Sequence, residues 1–129
     1  MRKPILVAIF AVLVFQAAAA HVVRHSSIPE SYRGSWALGA EPCKEPDKSA
    51  VVLSANTFVS PEASCAFGTV SETPGPQGPV YSTQLQCFKP ADRTRKKTGS
   101  NLVIRPDSMN QLSIGPGFGN LTIYQRCPA

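Results

Sequence analysis

Four cysteines, Cys43, Cys65, Cys87 and Cys127, constrain this chain more than any other feature, because all four follow an apolar leader. Met1-Arg2-Lys3 makes a basic start, Ile5 to Phe15 is an unbroken apolar run of 11 residues, and Ala17 to Ala20 ends it with small side chains. That order describes a secretory signal peptide over residues 1–20, with cleavage before His21. As a helix the run rises only ~16 Å, too short for a ~30 Å hydrocarbon core. The expected compartment is therefore periplasmic or secreted, with no transmembrane segment in the mature chain. An even cysteine count in such a compartment reads as two disulfides. A four-cysteine zinc site draws on close C-x-x-C pairs, whereas the gaps here are 22, 22 and 40 residues, so neither metal nor cofactor is expected.

Three connectivities are possible, and strand pattern favours one. Ser64 to Ser71 and Tyr81 to Phe88 are strand-like, with Pro74-Gly75-Pro76-Gln77-Gly78-Pro79 between them as a turn. A hairpin folded about residue 76 sets Cys65 directly opposite Cys87, where cross-strand Cβ atoms lie roughly 4.5–5.5 Å apart, near what a disulfide needs. Cys43 and Cys127 are then left to each other. A bulge that slipped this register by one residue would turn the two sulfurs to opposite faces.

The rest of the chain also reads as β. Tyr32 to Ala37 is the first expected strand, and Ala50 to Leu53 with Thr57 to Val59 forms a short hairpin. Asn101 to Arg105 and Gln111 to Ile114 flank a turn at Pro106 to Asn110, and Leu121 to Arg126 ends the series. Alternation places Leu102, Ile104, Leu112, Ile114, Leu121 and Ile123 on one buried face. The expectation is an all-β fold, a small antiparallel barrel or sandwich of seven to eight short strands stapled by two disulfides. Residues 32–129 form one domain, and residues 21–31 are expected to be a flexible N-terminal segment.

Recognisable catalytic patterns are missing. The only histidines, His21 and His25, lie in that N-terminal segment, and no nucleophile elbow, zinc-protease, P-loop or dinucleotide motif occurs. Glu41, Glu45 and Asp47 alternate with Lys44 and Lys48 near Pro42 and Pro46, the composition of a solvated mixed-charge loop. An enzyme resting on Glu62, Glu30 or Tyr124 in some cleft is one alternative. A copper-handling N-terminus using the His21 amine and imidazole with His25 is another.

Charge is uneven. Residues 75–129 hold seven basic and two acidic side chains, and five of the basic ones, Lys89, Arg93, Arg95, Lys96 and Lys97, fall in a single run. That run is either a contact surface for an anionic partner, such as an envelope protein or an anionic envelope polymer, or a solvated loop whose charges protect neighbouring strand edges. Export and the lack of aromatics in the run argue against nucleic acid. Tyr32 and Trp36, on one face of the first strand, read as core packing at the closed end of a barrel rather than as a ligand platform.

Arg33-Gly34-Ser35-Trp36-Ala37, then Cys43, Glu62-Ala63-Ser64-Cys65, Cys87 and Tyr124-Gln125-Arg126-Cys127 resemble the pattern of a group of small exported proteins from Gram-negative, especially alphaproteobacterial, genomes. The resemblance spans nearly the whole mature chain; it implies a periplasmic location and no activity. A weaker likeness is to the Inh-type periplasmic protease inhibitors, small eight-stranded barrels with an early G-x-W. This chain has two more cysteines and a different spacing. The function expected is that of a non-enzymatic exported binding or inhibitor-like module.

Overall fold

A computed structural model describes residues 22–38, 41–44 and 50–128 of the chain. The expected signal segment 1–20, His21, and the loop carrying Glu45 and Asp47 lie outside the described residues. Nine strands run in the order β1 (Val23–His25), β2 (Gly34–Ala37), β3 (Val51–Leu53), β4 (Thr57–Val59), β5 (Ser64–Thr73), β6 (Val80–Phe88), β7 (Thr98–Ser108), β8 (Gln111–Gly115) and β9 (Thr122–Arg126). All pairings are antiparallel. β2 pairs with β9, β9 with β8, and so on down to β5, while β5 also pairs with β4, β4 with β3 and β3 with β2. The sheet thus closes on itself as an eight-stranded barrel, and β1 is a ninth strand outside the ring.

Both disulfides form as the strand pattern implies, Cys65–Cys87 and Cys43–Cys127. Cys65 and Cys87 are direct cross-strand partners with Cα atoms 4.0 Å apart. Cys43, in the single-turn helix α1 (Glu41–Lys44), is tied to Cys127 just past β9. The second bridge packs with Ala37 and Ala50 as a small cluster apart from the main core.

The barrel interior follows from alternation. Tyr81, Thr83 and Leu85 of β6 point inward with Leu102 and Ile104 of β7 and Leu112 and Ile114 of β8, and all are buried. The expected inward set is correct for those two strands and wrong for the last one. Register pairs Leu112 with Tyr124, so Thr122, Tyr124 and Arg126 face inward, and Ile123 points out, 56% exposed. Leu121 precedes the strand and is only half-buried.

One end of the barrel is plugged by the segment expected to be flexible, which is a correction. β1 pairs with residues 70–72 of β5, on the edge that β4 occupies at residues 64–66. The chain then crosses the barrel end, where Ile28 is 1% exposed and its N–H donates to the Ala55 carbonyl at 2.9 Å. A 3₁₀ turn over Glu30–Tyr32 replaces the expected strand start, so Tyr32 reaches the core from a turn. The Tyr32 hydroxyl donates to the Pro79 carbonyl, and its ring meets Tyr81 edge-on at 5.2 Å. Two arginines fix this plug. Arg33 donates twice to the Ile28 carbonyl, and Arg126 donates to the carbonyls of Arg33 and Ser31 while its guanidinium lies 4.2 Å from the centre of the Trp36 ring. The strand enters through Gly34 at φ +125°, where a Cβ would press on the Arg126 guanidinium.

The β1 contact is pH-sensitive. Tyr81 donates to Glu72 at 2.8 Å and His25 lies 3.4 Å from the same carboxylate. The Tyr81 hydrogen bond, then the His25 contact, holds the Glu72 carboxyl below its ordinary value of 4.5. A carboxyl depressed in the folded state stabilises above its unfolded pKa and loses that contribution as pH falls through the folded one. The protection of residues 23–25 against amide exchange, taken relative to the intrinsic rate at each pH, should therefore fall below about pH 4.5. Tyr81→Phe should shift the onset upward, read from the Glu72 side-chain titration by NMR. An unchanged Glu72 titration in that variant would remove the assigned cause.

Candidate functional site

Among the described residues the opposite end of the barrel is open. Its described turns include residues 60–63 between β4 and β5, residues 89–97 between β6 and β7, and residues 116–121 between β8 and β9. Within them lies an apolar cavity of about 350 Å³. Phe58, Leu85, Leu102 and Ile114 supply its walls from four strands, with Tyr124 and the Cys65–Cys87 bridge between them. Ser100, Asn101, Asn120 and Thr122 edge the cavity. Eight strands leave an interior wide enough for side chains or one small ligand, and here core side chains fill the interior up to this cavity.

The basic run forms the β6–β7 turn at this end of the barrel, and none of its residues lines the cavity. Its loop starts beside Cys87, a wall residue, and returns at Thr98, the strand partner of Cys87. The single acid within it, Asp92, turns inward on the loop itself. Its carboxylate accepts from the Thr94 hydroxyl at 2.7 Å and the Thr94 N–H at 2.9 Å, which with the Lys89 charge holds its carboxyl below the usual range. Arg95 takes a left-handed backbone, φ 50°, as the loop turns back. Lys89, Arg93, Arg95, Lys96 and Lys97 are all exposed, and none makes an ion pair with a described residue. Strand-edge protection does not account for them, because both edges of β6 and both edges of β7 are already paired.

The other sequence candidates are dispersed. Glu30 lies in the plug at the closed end and Glu62 in a turn at the open end, so the fold does not bring them together. Tyr124 does reach the cavity. His25 sits on β1 against Glu72, away from the open end, and its expected copper partner His21 is outside the described residues. Among the residues that line the cavity there is no His, Lys, Arg, Asp or Glu. The site can therefore hold an apolar group by burial and an attached anion at the rim. The cavity itself carried no sequence signal, since its walls read as ordinary core alternation. No protein-family model, no curated protein and no solved structure matches this chain.

Proposed function

We propose that this is an exported, non-enzymatic binding domain that takes a small amphiphilic anion into the open end of its barrel. The observation that carries the reading is an apolar cavity at the same end of the barrel as a turn with five exposed cations that make no ion pair with a described residue. At about 350 Å³ the cavity is at the lower end of the range of small-molecule pockets, so the occupant is one short acyl chain or a ring system. The cations focus the field at the mouth and orient the ligand tail-first. Two disulfides, with no described helix long and apolar enough to cross a membrane, are compatible with a non-cytoplasmic protein. The leader and the motif resemblance support a periplasmic one.

Calorimetry with decanoate and decanol tests the proposal. Decanoate should bind saturably, and affinity across the C6–C10 acids should rise by up to about fourfold per methylene, the limit set by roughly 0.8 kcal/mol for each buried CH₂. Decanol should bind more weakly. Changing Lys89, Arg93, Arg95, Lys96 and Lys97 to Gln should erase the difference between acid and alcohol without changing the thermal midpoint. Absent saturation, or an acid preference that survives the five changes, would overturn the reading.

A further inference from the structure

A second concavity, a groove of about 520 Å³, lies on the outer wall of the barrel. Its floor is a row at matched register, Arg24 on β1 opposite Ser71 on β5, Ser71 opposite Ser82 on β6, and Ser82 opposite Val103 on β7; the row continues past the groove to Gly115 on β8. Below it lies a second row, Thr69, Gln84 and Asn101. The 116–119 loop forms the far wall and carries Phe118, 65% exposed. That loop is held down at its base, where Gly115 passes so close to the Asn120 carbonyl that a Cβ would clash at 1.9 Å. The Asn120 N–H donates to the Gly117 carbonyl, closing the turn that presents Phe118.

The chemistry of this lining is selective. Arg24 is its only charged side chain. The hydroxyls of Ser71 and Ser82 and the amides of Gln84 and Asn101 make no hydrogen bond with described residues. We infer that this groove is a second binding site, for an oligosaccharide segment bearing a carboxylate. Neutral amides and hydroxyls donate to and accept from sugar hydroxyls without favouring an ion, and an exposed aromatic ring offers the C–H face of a pyranose a flat partner. At the other wall the Arg24 guanidinium matches a carboxylate in its forked geometry. The row from Arg24 to Val103 crosses three strand spacings, roughly 14 Å, a run suited to several linked rings rather than one. Leu102, Val103, Pro116 and Phe118 interleave apolar surface with the hydroxyls and amides of the groove, the mixture that the C–H faces and hydroxyls of a sugar require.

The test uses the folded chain and two probes, a tetrasaccharide alternating glucuronate with N-acetylglucosamine and the neutral tetrasaccharide of N-acetylglucosamine. In backbone amide NMR titrations, both should shift residues 24, 69–71, 82–84 and 117–118, none of which lines the mouth cavity, with the acidic probe binding more tightly. Phe118→Ala should weaken both probes about fivefold. Arg24→Gln should remove the preference for the acidic probe, and both variants alter exposed side chains, so the thermal midpoint should hold. Decanoate prebound at the mouth should not displace either sugar, which separates this site from the mouth reading. The inference is overturned if neither probe shifts these residues. It is also overturned if the shifts are confined to residues 89–97, or if Phe118→Ala and Arg24→Gln leave both affinities unchanged.

Discussion

Replacing Cys43 and Cys127 by alanine should lower the thermal midpoint by on the order of 20 °C, a larger loss than replacing Cys65 and Cys87 would produce. The bridge spans a sequence separation of 84, against 22 for Cys65–Cys87. Chain entropy then assigns roughly 4.6 kcal/mol to the longer loop and roughly 3.4 to the shorter. Packing points the same way, because the Cys43–Cys127 bridge packs against the buried Ala37 and Ala50. The Cys127 N–H donates to the Ser35 carbonyl at 2.9 Å, so the bridge also fixes the end of the chain beside β2. The Cys65–Cys87 pair, by contrast, joins two strands whose ladder already holds them in register on both sides. Thermal melts of the two double-alanine variants decide the order. If losing Cys65–Cys87 costs more, wall packing at the open end, and not loop closure, is the larger effect.

That pairing was legible in the sequence for a reason only half visible there. The axis through residue 76 matches Cys65 with Cys87, but near the turn it passes between residues 76 and 77, as Glu72 opposite Tyr81 shows. A bulge between Phe67 and Val70 absorbs the extra residue and restores the register below it. Alternation served where one face is apolar and the other polar, as in β7 and β8. It failed in β9, where Ile123 points to solvent and Arg126 turns inward to cover Trp36. Hydrophobicity alone cannot assign an arginine to the inner face when an aromatic ring and two carbonyls receive it. The N-terminal plug was hidden for a different reason. β1 is three residues long and Ile28 stands alone, so no period exists to detect; the β1–β5 ladder, the buried Ile28 and the hydrogen bonds of Arg33 and Arg126 seat the segment. The basic loop could be read from composition, but its place at a cavity mouth needed the barrel to close.

The second large effect concerns the closed end, where Trp36 and Arg126 act together. Trp36→Ala should cost about 3–5 kcal/mol in urea denaturation, because the ring is 1% exposed and the space left behind cannot fill from solvent. The loss exceeds the ring's own burial, since the indole N–H donates to the Tyr32 carbonyl and the Arg126 guanidinium stacks on its face. Arg126→Lys keeps the charge but gives up the fork that reaches Ser31 and Arg33, and should cost about 1–2 kcal/mol. In the double variant the two losses should fall short of their sum by roughly 0.5–2 kcal/mol, the range of a partly desolvated cation–π contact. Each single change should also speed amide exchange at Ile28 more than at Leu102 or Leu112, because the plug hangs on Arg126 while the barrel wall hangs on its ladder. Additive losses, or uniform acceleration across plug and wall alike, would mean that Arg126 merely lies over the tryptophan and that the barrel end is sealed by Ile28 and Tyr32 without it.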